Sequence, residues 1–178
     1  SPPRPVFSPL RVHWMKDRPE EARKVYQAVR RSPIWDRKLR MYKSCEPMDG
    51  ETPELGRAVG AYPPGWIENE SIYLHMEYKW LLEVLRSGLC AEFWKDARTC
   101  LVPFMDPEVY GRSTLEGASF IVSSAYADPS RHGQAFQPRL SGITCEFLHL
   151  WIIAMAGERP FRLSAQGALA LALEPRLP

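Results

Sequence analysis

Three groups of side chains in this sequence have the types and spacing that chemistry needs. The first is Arg139-Leu140-Ser141-Gly142-Ile143-Thr144, which runs directly into the apolar segment 145–156. An apolar segment of that length reads as a buried helix, and the first turn of a helix leaves backbone N–H groups without partners. Those groups and the aligned peptide dipoles favour an anion at the helix start. The hydroxyls of Ser141 and Thr144 and the guanidinium of Arg139 can add hydrogen bonds to it. The same residues also suit a plain structural role, with Ser141 capping a buried helix.

The second group is Gly65-Trp66-Ile67-Glu68-Asn69-Glu70-Ser71-Ile72-Tyr73-Leu74-His75-Met76-Glu77. Trp66 offers a flat apolar face for a sugar ring, Glu68 and Asn69 can read hydroxyls, and His75 can hydrogen-bond an anion through a ring N–H. The alternative is a core tryptophan, a helix-capping glutamate and a satisfied histidine. The third group lies in 106–124, where Arg112 follows Gly111 and Glu116 stands four residues on. Arg112 suits a carboxylate or phosphate, and Glu116 suits sugar hydroxyls. The pair also suits an ordinary ion pair that holds a loop. Phosphate-binding glycine loops, dinucleotide fingerprints, zinc-protease helices and nucleophile elbows are absent from the sequence. Asp36 and Asp106 are isolated acids in contexts that suit a turn or an ion pair.

The elements that must position these groups are mostly helical. Residues 20–31 carry Ala22, Val25, Tyr26 and Val29 on one face, and Ser32-Pro33 ends the pattern. Residues 72–87 repeat Leu74, Tyr78, Leu81, Leu82 and Leu85 and stop at Gly88. Residues 91–101 turn Phe93, Trp94, Ala97 and Leu101 inward, and 144–156 form a fourth helix closed by Gly157. Segments 36–64 and 104–143 read as long irregular loops. The alternating stretch 168–173 reads as a strand.

Composition sets the outer bounds. The 178 residues suffice for one domain, and 45% hydrophobic with 25% charged residues is ordinary globular chemistry. A net charge of +2 gives no basic balance that would point to nucleic acid. The longest apolar run, 147–156, is too short to span a bilayer, and the proline-rich start is no signal peptide. The four cysteines form no C-x-x-C pair, which argues against a zinc site and for free thiols in a reducing, cytoplasmic setting. The start at Ser1 and the stop just past one strand lead us to expect a fragment of a longer protein.

Four stretches taken together resemble a known family. They are Ser32-Pro33-Ile34-Trp35-Asp36-Arg37-Lys38-Leu39 with Met41-Tyr42-Lys43, the block from Glu68 to Glu77, Tyr110-Gly111-Arg112-Ser113, and Arg139-Leu140-Ser141-Gly142. In this order they are similar to the inverting glycoside phosphorylases of the cellobiose phosphorylase type, nearest the branch acting on β-1,2-linked oligoglucans. The similarity runs from about residue 20 onward. The resemblance implies a mainly α fold, part of an (α/α)6 barrel with a short C-terminal β segment. Residues 1–162 would be the C-terminal portion of the barrel and 163–178 the start of a truncated β-domain.

The activity it implies is reversible phosphorolysis of β-linked, chiefly β-1,2, oligoglucans to α-glucose 1-phosphate. By resemblance, His75, Arg139, Ser141, Gly142 and Thr144 bind phosphate, while Trp66, Glu68, Asn69, Arg112 and Glu116 bind the oligosaccharide. Ile143 stands where relatives commonly carry a small hydroxyl residue, which removes one side-chain hydrogen bond and leaves the backbone N–H groups. The family's general acid is an aspartate expected upstream, so no catalytic residue is assigned here and the isolated chain is expected to be inactive. No cofactor or metal is implied, since inorganic phosphate is a co-substrate. The expected partners are oligosaccharide, phosphate and the rest of the parent chain, with homo-oligomerisation left open and neither nucleic acid nor membrane involved. Two other readings stand beside it. One is an inverting hydrolase with Glu68 or Glu116 as base. The other is an inactive carbohydrate-binding or structural fragment.

Overall fold

The structure is a computed structural model that describes residues 18–48, 58–138 and 142–177. The first helix among the described residues, α1 (Pro19–Arg31), has Glu20 and Glu21 in the first turn and Arg30 and Arg31 in the last, the charge order its dipole favours. Ala22, Tyr26 and Val29 form its buried face. The Ser32 hydroxyl donates back to the Val29 carbonyl at 2.9 Å and closes it. A short hairpin follows, β1 (Trp35–Asp36) and β2 (Met41–Tyr42), in the register Trp35↔Tyr42 and Asp36↔Met41. Its turn is held by Asp36, whose Oδ1 accepts from the amides of Lys38 and Leu39, each at 3.0 Å. Most of this hairpin lies within the segment 36–64 expected to be irregular.

After α2 (Ala58–Ala61) the chain enters β3 (Ile72–Tyr73) and passes directly into α3 (Leu74–Arg86). The expected helix therefore begins two residues late. Ile72 and Tyr73, β-branched and aromatic, pair with Ile121 and Phe120 instead. Helix α3 is the hub of the core. Leu74, Tyr78, Leu81 and Leu85 are buried at helical spacing, and Trp80, Leu82 and Val84 are buried beside them. It packs on α4 (Cys90–Cys100) and on α6 (Gly142–Ala156). Between these helices run α5 (Pro107–Tyr110), β4 (Ala118–Ile121) and β5 (Ala135–Pro138).

Strands β3, β4 and β5 form an antiparallel sheet in that order, with Phe120 opposite Phe136 and Ile121 opposite Ala135. A hairpin of β6 (Phe161–Leu163) and β7 (Leu169–Leu171) follows α6. The strand expected at 168–173 is thus paired with β6. Arg176 ties the chain beyond this hairpin to the helices, its N–H donating to the Ala154 carbonyl and its Nη1 to that of Leu85, both at 2.8 Å.

This architecture corrects the fold class that the resemblance implied. Among the described residues 44% are helical and 15% are in strands, with three small antiparallel sheets, so the fold is mixed α/β and not a fragment of a mainly α barrel. The physical reason lies in 104–143, read from sequence as an irregular loop. All four residues of β4 are buried, so the strand shows no alternation of polar and apolar positions, and its backbone groups are satisfied by partners on both sides.

Candidate anion site

Three elements converge at the start of α6. Helix α6 is 15 residues long and begins at Gly142. His75 sits in the first turn of α3, half-buried, with its ring edge-on to Tyr73 at 5.7 Å. Strand β4 supplies Ala118 and Ser119. Together His75, Ala118, Ser119, Gly142 and Ile143 line a cavity of about 50 Å³. Ser119 is only 4% exposed, and its Oγ has no hydrogen-bond partner among the described residues. A buried hydroxyl left unpaired costs roughly 1–3 kcal/mol. Such an atom can form a hydrogen bond with a ligand or water at the positive end of a long helix dipole.

The structure brings His75 and Gly142 to one cavity. Thr144 is exposed and lines a neighbouring apolar pocket instead. Arg139 and Ser141 lie outside the described residues. Ser119 was not among the residues assigned from sequence. Its only signal there was membership of the stretch of small hydroxyls from Ser119 to Ser124.

The residues expected to bind sugar line a different part of the molecule. Trp66 packs against Phe136, Phe120 and Tyr126, with ring centroids 4.8, 5.3 and 5.5 Å away. Asn69 is buried and donates through Nδ2 to the Tyr62 carbonyl at 2.8 Å. Glu68 is exposed, and its carbonyl accepts from the Cys45 thiol. This segment is tightly folded: Gly65, Ile67 and Glu70 have φ of 81°, 49° and 57°. A Cβ on Gly65 would lie 2.4 Å from the Tyr126 amide nitrogen, so only glycine fits there. The buried Lys43–Glu70 pair, 2.5 Å apart, holds the strained turn at its far end. Arg112 donates through Nε to the Ala135 carbonyl at 3.1 Å and lies 3.7 Å from Glu116, an arrangement that fastens the loop to β5. None of these five residues lines the cavity of His75 and Ser119.

A second polar cluster has no counterpart among the residues expected from sequence. Asp96 of α4 accepts from the Tyr26 hydroxyl at 3.0 Å, from the Tyr42 hydroxyl, and from Arg30 at 3.1 Å. Arg30 in turn lies over the Trp35 ring, 3.4 Å from its centroid. Glu77 of α3 accepts from the Tyr42 amide at 2.8 Å, and burial pushes its carboxyl up to about 8. Burial also raises the Asp96 carboxyl, against the pull of Tyr42 and Arg30. Asp96 and Glu77 are each 1% exposed, so the cluster joins α1, β2, α3 and α4 inside the core and offers no access to substrate. Asp36 is likewise spent on structure, its Oδ1 and Oδ2 accepting from the Ser124 hydroxyl and amide at 2.9 and 2.6 Å.

Among the described residues, no group of three or more His, Cys, Asp or Glu side chains is placed to hold a metal ion, and no helix is long and apolar enough to cross a membrane. In comparisons with known proteins, no family model and no curated protein matches the chain.

Proposed function

We propose that the start of α6 binds inorganic phosphate, and that the chain carries the phosphate half of an inverting phosphorylase acting on β-linked, chiefly β-1,2, oligoglucans. The observation that supports this reading most is the unpartnered Ser119 hydroxyl, buried with His75 beside Gly142 at the positive end of a 15-residue helix. In the reaction, phosphate attacks the anomeric carbon opposite the leaving sugar, and the electron pair of the broken bond stays on the leaving oxygen, which takes a proton from a carboxylic acid. Inversion gives α-glucose 1-phosphate. No residue of this chain is assigned as that acid.

A hydrolase on the same site would need a second carboxylate beside the attacking water. Glu68 and Glu116 lie off the cavity, which favours phosphate over water as the attacking group. A cytoplasmic setting fits the unpaired thiols of Cys45, Cys90, Cys100 and Cys145.

Calorimetric titration with inorganic phosphate tests the reading. Losing one charge-assisted hydrogen bond costs about 1.5–3 kcal/mol. His75→Ala should therefore weaken phosphate binding by about tenfold to a hundredfold. An unchanged affinity in that variant would remove His75 from the site and leave the phosphorylase reading without support.

A further inference from the structure

We propose that Ile143 sets which phosphate species this site accepts, by walling the anion cavity off from an apolar pocket beside it; the inference rests on the anion reading above. The two spaces lie side by side across the same three elements. Along α3, His75 lines the anion cavity and Tyr78, three residues on, lines the pocket. Along the entry to β4, Ala118 and Ser119 line the cavity and Gly117 lines the pocket. At the start of α6, Gly142 faces the cavity while Thr144 and Phe147 face the pocket. Among the described residues, Ile143 is the one common to both linings, and it is 4% exposed.

The sizes and chemistry of the two spaces differ. The cavity is about 50 Å³ and has the polar residues Ser119 and His75 in its lining. The pocket is about 170 Å³ and is walled by Tyr78, Val102 and Phe147, with Leu115 at 96% exposure on its rim. A tetrahedral anion seated at Gly142 therefore meets a branched hydrocarbon on the side that faces the apolar pocket. The β-branched side chain is stiff at χ1 and cannot swing aside cheaply. With Ile143 present, phosphate fits and a phosphate ester with an aromatic substituent is refused. With Ile143 truncated, the two spaces join, and the aromatic ring gains an apolar berth against Phe147 and Tyr78.

The test is a comparison of inorganic phosphate with phenyl phosphate by calorimetric titration. The wild-type protein should bind phosphate at least tenfold more tightly than phenyl phosphate. Ile143→Ala should bring the two within about threefold or reverse their order. Truncating a buried isoleucine also destabilises the fold, so Ile143→Val serves as the milder variant and should give an intermediate ratio. Phe147→Ala enlarges the pocket without opening the wall and should leave the wild-type ratio in place. A ratio unchanged in Ile143→Ala or, should that variant not fold, in Ile143→Val would overturn the proposal. So would a wild-type protein that binds phenyl phosphate as well as phosphate. Wild-type protein that binds neither would instead overturn the anion site itself.

Discussion

Asp96 and Ser119 are almost equally buried, at 1% and 4% exposure, yet their surroundings are opposite in kind. Asp96 collects two tyrosine hydroxyls and an arginine from other elements. Ser119 has no partner for its Oγ among the described residues and lines a cavity. A buried polar group fully supplied with partners fixes elements to one another, whereas one left unsupplied costs free energy that binding can recover. The molecule thus separates a polar cluster that specifies the fold from a polar cavity suited to a ligand. The two are joined through α3, which carries Glu77 into the first and His75 into the second.

That separation makes substitutions at the two places diverge, and the largest effect belongs to Asp96. Asp96→Ala strands Arg30 and the hydroxyls of Tyr26 and Tyr42, and breaking a buried charged pair typically costs about 3–5 kcal/mol. Urea denaturation should show that loss, while the folded fraction keeps its phosphate affinity. A stable Asp96→Ala variant with weakened phosphate binding would erase the distinction between the two regions.

Similar in size is the pH dependence from Glu77. Its folded-state value of about 8 lies above the ordinary 4.5, so between those limits the native state holds a proton that the unfolded chain has released. Stability from this group is therefore complete below about pH 4.5 and is lost as pH rises through 8, by up to about 1.4 kcal/mol per pH unit. The raised Asp96 carboxyl acts in the same sense. Urea midpoints at pH 5, 7 and 9 should fall for the wild type and change far less for Glu77→Gln. Parallel curves would show that Glu77 is ionised in the native state.

The smallest effect has the more informative sign. Ser119→Ala removes a buried hydroxyl that has no partner, so it should raise stability by about 1 kcal/mol while weakening phosphate binding. Gains in stability at the expense of binding mark sites kept for function. Loss of stability in that variant would mean the hydroxyl already serves the fold.

The helices were largely legible in the sequence, and the sheet was not. Expected spans 20–31, 91–101 and 144–156 became Pro19–Arg31, Cys90–Cys100 and Gly142–Ala156, because apolar residues recur at helical spacing and Ser32, Leu101 and Gly157 end them. Strand β3 has two residues and runs into a helix without a break, so its signal merges with the helical one. Strand β4 is buried throughout and resembles any short apolar run. This is also where the mainly α expectation failed, since the central sheet is built from those two strands and β5. At the candidate site, His75 and Gly142 stand out in the sequence by chemical type and by position at helix starts. Ser119 does not, because only the folded chain sets its hydroxyl against a helix that begins 23 residues later in sequence. Trp66 and Arg112 show the converse. Their side chains suit ligands, but aromatic packing on Phe136 and a backbone carbonyl of β5 occupy them.

The most direct test of the anion site is a phosphate titration followed by amide ¹H–¹⁵N correlation spectra of the chain. The amides of Gly142, Ile143 and Ser119 should shift together with one affinity, and those shifts should weaken in Ser119→Ala. Shifts absent from Gly142, or confined to the arginine-rich stretches 30–31 and 37–40, would contradict a phosphate site at the start of α6.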